Sequence, residues 1–174
     1  VNPHDIVFWP AWSIWRRGAV NLTDLPPIGA SPSQDHVPNA EPSVLGAYRT
    51  QYSKAYGPAS IIQWLYRRSP ERYRRFYCGL LKQADAHLGT LLSCLDETGL
   101  SKSTHVVFSS DHGEMLGAHG GLHQKWYNAF EETLRVPLII RKASRSASMP
   151  TVRQDLSTHL DLVPTLMGLA QITA

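Results

Sequence analysis

From Ser69 to Gly99 the chain carries one long helical signal, and that signal limits the folds open to it. Tyr73, Phe76, Tyr77, Leu80, Leu81, Ala84, Leu88, Leu91, Leu92 and Leu95 fall on one face of a 3.6-residue period for about seven turns. Ser69 stands where an N-cap is needed, Pro70 suits the first helical position, and Glu71 complements the positive end of the helix dipole. Gly99 suits the residue that closes the helix. An apolar stripe of this length must be laid on a second layer of structure. Asp85 and Gly89 interrupt the stripe and are expected to mark a close approach of another helix. The basic run Arg67 to Arg75 looks like a nucleic-acid patch if charge alone is counted, but the helix start accounts for the same residues. Its arginines are then expected mostly on the exposed side. A net charge of only +3 agrees, and points to neither nucleic acid nor a membrane surface.

After the helix, Thr104 to Phe108 is a short β-branched run, the pattern of a buried parallel strand. Val136 to Ile140 is a second apolar strand, and Asp161 is placed as the N-cap of a last helix to about Ala170, with Pro164 tolerated in its first turn. Helix, strand, strand and helix in this order predict an α/β layered domain. The 174 residues, 43% of them apolar, suffice for one such domain with a real core. Residues 11–60 differ, being rich in Pro, Ser, Gly and Asn. Pro26, Pro27, Pro32, Pro38 and Pro42 exclude long helices before Ser43, so this stretch reads as an irregular surface excursion held down by its aromatic residues. A helix within Val44 to Trp64 is expected to break near Gly57-Pro58. Cys78 and Cys94 lie on the long helix, about 24 Å apart and beyond disulfide reach, so both are expected to be buried packing residues. No apolar run is long enough to span a bilayer and no signal peptide is visible. The start, V-N-P-H-D, lacks Met and reads as the tail of a strand, which predicts a chain truncated at its N-terminus.

Between the two strands lies S-S-D-H-G-E-M-L-G-A-H-G-G-L-H-Q-K. Ligands in open α/β sheets collect beyond the carboxyl ends of strands, which is where Asp111 and His112 are expected. A carboxylate beside an imidazole suits a divalent cation, and glycines at 113, 117, 120 and 121 let backbone approach an ion or oxyanion closely. An isolated Asp-His pair is more often a capped turn with a packed histidine. His4, in P-H-D, taken alone is a solvated or capping residue at a loop end.

The full spacing changes the balance. S-D-H-G-E-x-L-G-x-H-G, a following lysine, and E-E-x-x-R-V-P-L-I-I resemble the signature of the sulfatase branch of the alkaline-phosphatase superfamily. Tyr77 to Leu100 is similar to the helix that precedes that signature, Val1-Asn2-Pro3-His4-Asp5 to the strand end with its active-site histidine, and Ser157 to Leu166 to its D-x-x-P-T-L segment. The resemblance implies a mostly parallel central sheet flanked by helices, with residues 1–174 as the C-terminal portion of one catalytic domain. It implies that Asp111 and His112 are ligands of one divalent metal ion, usually Ca or Mn. It places His4 near the leaving-group oxygen and Lys125 on the sulfuryl or phosphoryl oxygens, with His123 a second donor to that anion or a packed loop histidine. His119 is expected to fix the glycine loop, Glu114, Glu131 and Glu132 to act as capping or loop residues, and His159 either to pack at a helix end or to line the pocket rim.

The sequence departs from the family pattern in three places. The stretch H-G-G-L-H-Q-K is one residue longer than the commoner spacing, and Gln171 stands where many relatives have Gly. Neither C-x-P-S-R nor S-x-P-S-R occurs, so the nucleophile, a formylglycine in sulfatases, is expected only in a missing N-terminal part. The implied activity is metal-dependent hydrolysis of a small anionic sulfate ester, with these 174 residues inactive alone. Phosphate or phosphonate ester hydrolysis, and a non-catalytic truncated or degenerate fragment, are the alternatives. The expected partners are that ester and no nucleic acid or membrane span; a homo-oligomer is compatible.

Overall fold

The computed structural model describes residues 22–36, 39, 42–55, 68–125, 127–143 and 152–172. His4, most of the start of the 11–60 excursion and the expected break at Gly57-Pro58 lie outside them. Contacts divide the chain into two compact units, Val1–Thr90 with His112–Arg135, and Leu91–Asp111 with Val136–Ala174.

In the first unit, helix α1 (Ser43–Ala55) begins where the prolines end, and Leu45 is buried on it. Helix α2 (Pro70–Glu97) starts at the expected proline, with the Ser69 carbonyl accepting from the Arg72 N–H at 3.0 Å. Tyr73, Phe76 and Leu80 are buried, as the stripe requires. Arg74 is buried too, an exception to the expectation that the arginines mostly face solvent; Arg68 and Arg72 are exposed. Arg74 Nη1 donates to Gln34 Oε1 at 3.0 Å, a hydrogen bond that offsets part of the cost of burying the guanidinium. Farther along, Leu81 is 44% and Leu91 53% exposed, so the stripe drawn by periodicity is buried mainly over its first turns. Gly99 closes the helix in the left-handed region at φ 71°, as expected. A one-turn helical segment (Ala118–Gly121), irregular at His119 and Gly120, and a short helix α3 (Glu131–Leu134) are the other described regular elements of this unit.

Two expectations about α2 fail. Asp85 and Gly89 are exposed, and a Cβ built on Gly89 meets nothing within 4 Å, so among the described residues no close helix contact lies there. Cys94 is exposed and Cys78 half-buried, and neither forms a disulfide. Because Gly89 has space around it and sits in a helix interior, Gly89→Ala is expected to stabilise the chain by about 0.5–1 kcal/mol. Urea denaturation should show this as a higher midpoint with an unchanged slope.

Part of the core of the first unit is built by the stretch that composition marks as loop. Met115, Ala118 and Leu122 are buried together, with Tyr48 and Phe130 packed against them. Glycines that suggest a flexible backbone here serve tight turns inside a packed segment.

In the second unit, β1 (Val106–Ser109) and β2 (Leu138–Arg141) form a two-stranded antiparallel sheet in the register Val106↔Arg141, Val107↔Ile140, Phe108↔Ile139 and Ser109↔Leu138. A buried parallel strand was the expectation for Thr104 to Phe108. An apolar β-branched run reports that a strand can be covered on its faces; it carries no information on direction, which the returning connection sets. The strands are also far from buried, with Ile139 60% exposed. A 3₁₀ turn, His159–Asp161, leads into helix α4 (Leu162–Leu169). Asp161 precedes the helix but does not cap it with its side chain. Its carboxylate instead accepts from the Thr158 N–H at 2.7 Å, while the Thr158 hydroxyl accepts from the Leu160 N–H, a reciprocal capping box. Among the described residues no helix is long and apolar enough to cross a membrane.

Candidate active site and family

The candidate site begins where β1 ends. Ser109 Oγ donates to the Pro137 carbonyl at 2.9 Å, and His159 Nε2 donates to the Ser110 carbonyl at 2.7 Å. His159 thereby anchors the backbone immediately before Asp111, which is exposed. His112 opens the first unit's loop. Its Nδ1 lies 2.8 Å from the Gly113 carbonyl. A carbonyl only accepts, so Nδ1 carries the proton and Nε2 keeps the lone pair. Metal-binding histidines are oriented by this kind of backbone contact. An imidazole nitrogen and a carboxylate oxygen are donor types that suit a divalent ion. Among the described residues no three His, Cys, Asp or Glu side chains are grouped to hold a metal.

The loop from Gly113 to Lys125 is fixed from three sides. Gly113 N–H donates to the Thr133 carbonyl at 2.8 Å, and Thr133 Oγ1 lies 3.1 Å from Met115 Sδ. The Tyr48 hydroxyl donates to the His123 carbonyl at 2.9 Å. From outside, the His119 and Gly120 N–H groups donate to the Ser33 and Gln34 carbonyls at 2.8 and 2.7 Å. His119 stacks on Phe130 with centroids 3.9 Å apart and faces Glu132, so it is a structural residue of the loop, as expected. His123 is buried, edge-on to Tyr73 at 4.7 Å. Lys125 is half-buried at the loop's end.

Glu114 holds this end in place. Its carboxylate accepts from the Tyr73 hydroxyl at 3.0 Å, from the Leu116 N–H, and by a short bond from the N–H of Gln124, the residue before Lys125. Burial pushes its carboxyl above the ordinary value of 4.5, and those three donors and the Lys125 charge pull the other way without cancelling the rise. Sequence reasoning placed Glu114 among loop residues and missed that Tyr73, on α2, reaches it. No local pattern signals a pair 41 positions apart.

Because the folded carboxyl holds its proton more tightly than the unfolded one, Glu114 contributes stability that is present below about pH 4.5 and lost as pH rises through its folded pKa. Glu132 has the opposite sign. Burial pushes it up, but the Ser33 hydroxyl, its own backbone N–H and His119 outweigh that and hold it below 4.5, so its contribution is lost as pH falls. Glu114→Gln is therefore expected to flatten the stability profile on the side above pH 4.5 and leave the acid limb unchanged. Urea midpoints measured across pH would show a parallel displacement of the whole profile if the argument is wrong.

The sulfatase family model matches residues 28–172, and the chain belongs to the sulfatase family, a family of sulfuric ester hydrolases. It is 33% identical over 139 residues to human iduronate 2-sulfatase, covering 79% of this chain and 22% of that protein. It is 31% identical over 176 residues to the choline-sulfatase of Rhizobium meliloti, covering 99% of this chain and 30% of that enzyme. Over 94 residues it is 39% identical to the multifunctional alkaline phosphatase superfamily protein PehA of Trinickia caryophylli, covering 54% of this chain and 18% of that protein. The chain thus spans between 18% and 30% of the length of these relatives.

Proposed function

We propose that these residues form the C-terminal portion of one sulfatase catalytic domain that hydrolyses a small anionic sulfate ester. The observation that carries this reading is the loop itself: the family match runs through it, and Glu114 and His112 hold it in one conformation. Asp111 and His112 would hold one divalent ion, Ca or Mn, which when bound supplies positive charge against the ester oxygens. Lys125 places a point charge on the sulfuryl oxygens. His123, two residues before it, is the weaker candidate for the same anion because it packs against Tyr73. His4 serves the leaving-group oxygen. The nucleophile, a formylglycine, comes from a segment that contains the C-x-P-S-R motif absent from these 174 residues.

The sheet supports the same reading. β2 exposes Leu138, Ile139 and Ile140, residues that point alternately to its two faces. A strand apolar on both faces belongs inside a layered sheet covered by helices, and two strands alone are marginal in water. A mostly parallel central sheet, completed by the rest of such a domain, would cover them.

Phosphate or phosphonate ester hydrolysis is the second reading, favoured by the likeness to a protein described as multifunctional within the alkaline phosphatase superfamily. Turnover of 4-nitrophenyl sulfate against 4-nitrophenyl phosphate and a phenylphosphonate ester separates the two. The polypeptide to assay carries these residues together with a nucleophile-bearing segment, with Ca or Mn present. Preference for the sulfate supports the proposal, and preference for a phosphorus ester transfers it to the second reading. The 174 residues alone are expected to turn over none of the three; activity there would overturn the assignment of the nucleophile to another segment.

A further inference from the structure

We propose that His36 and His119 form a binding site for a transition-metal ion of the zinc class, fastening the 31–36 segment onto the glycine loop. Both rings lie in the first unit, with their Nδ1 atoms facing each other at 3.3 Å and their planes at 71°. The other nitrogen of His119 is committed, because its Nε2 lies 3.2 Å from Glu132 Oε2. A carboxylate only accepts, so Nε2 carries the proton and Nδ1 presents its lone pair to His36. The Ser33 hydroxyl donates to the second oxygen of Glu132, and Phe130 stacks on the His119 ring within 9° of parallel. The His119 ring is thus fixed in tautomer by the carboxylate and in plane by the phenyl ring. A carboxylate behind an imidazole is the arrangement that orients and strengthens a metal-binding histidine.

The bite of the two nitrogens suits such an ion. Without metal, His36 Nδ1–H donates to His119 Nδ1. If His36 takes its Nε2–H tautomer, both Nδ1 lone pairs are available. An ion with bonds of about 2.05 Å to nitrogens 3.3 Å apart subtends an angle of about 107°, close to tetrahedral. Two neutral imidazoles select Zn, Ni or Cu over Ca or Mg, and water completes the coordination. The site uses neither Asp111 nor His112. It would cross-link positions 83 residues apart, alongside the backbone bonds from His119 and Gly120 to Ser33 and Gln34.

The test is a calorimetric titration of the full chain with Zn2+ in saturating Ca2+, together with thermal melts with and without Zn2+. The expected result is one Zn2+ per chain and a rise in Tm on its addition. His36→Ala removes an exposed side chain and its one hydrogen bond to His119, so without metal it should melt only slightly below the parent, and it should lose both the bound Zn2+ and the rise. Glu132→Gln should keep the site but weaken its Zn2+ affinity by about 10- to 100-fold. A parent chain that binds no Zn2+, or a His36→Ala chain that binds it with unchanged stoichiometry and affinity, overturns the proposal. The second outcome would place the ion on other ligands.

Discussion

Gly113→Ala is expected to destabilise the chain by about 3 kcal/mol or more, at the upper end of what overpacking costs. A Cβ on Gly113 would stand 1.9 Å from the Glu132 carbonyl oxygen, 3.0 Å from its carbon and 3.3 Å from Thr133 Cα. All three are backbone atoms, so no side-chain rotation relieves the clash. The close approach is itself enforced, because the Gly113 N–H donates to the Thr133 carbonyl at 2.8 Å. Moving either strand of this contact breaks that bond and disturbs Thr133 against Met115, which is the centre of the apolar cluster. Gly121 is the useful contrast. Its φ of +85° strains an alanine, but nothing lies within 4 Å of the added methyl, so Gly121→Ala should cost only about 1–2 kcal/mol. Urea denaturation of the two variants decides the matter. Equal losses would mean that backbone conformation, and not the approach of Glu132, explains the glycine after Asp-His.

That contact shows where sequence reading reaches and where it stops. The long helix was legible because its information is local: the apolar period, Pro70 at its start and Gly99 at its end all lie within it. The candidate metal and anion residues stand out by type and spacing only through the resemblance they carry, which remains a proposal for each of them. That the loop also builds part of the core was not legible. Met115, Ala118 and Leu122 stand at i, i+3 and i+7, a helical spacing, but left-handed glycines at 117, 120 and 121 break the helix that this spacing would announce. Direction in the sheet was lost for a similar reason, since apolar runs encode coverage and not pairing. Arg74 and Glu114 were lost because a charge reads as solvent-facing unless its partner is known, and Gln34 and Tyr73 lie 40 and 41 positions away.

In a protein that holds the complete site, Lys125→Ala is expected to lower kcat/KM by about 10²- to 10³-fold, the loss typical of removing one preorganised donor from a developing anion. Lys125→Arg should recover only part of it, because a planar fork replaces a compact point charge. A second consequence of the same substitution has to be separated from the first. The Lys125 charge also lowers the Glu114 carboxyl, so its loss raises that group further and loosens the anchor on Gln124. The two routes part in a double-mutant cycle. If Lys125 acts through Glu114, the activity lost on Lys125→Ala should vanish in a Glu114→Gln background, where no carboxylate is left for it to steady. If Lys125 meets the ester oxygens itself, the loss should persist at nearly full size in that background, while the pH profile of stability responds to Glu114→Gln alone. Glu114 already accepts from three hydrogen-bond donors of its own, so the loss is expected to persist in that background.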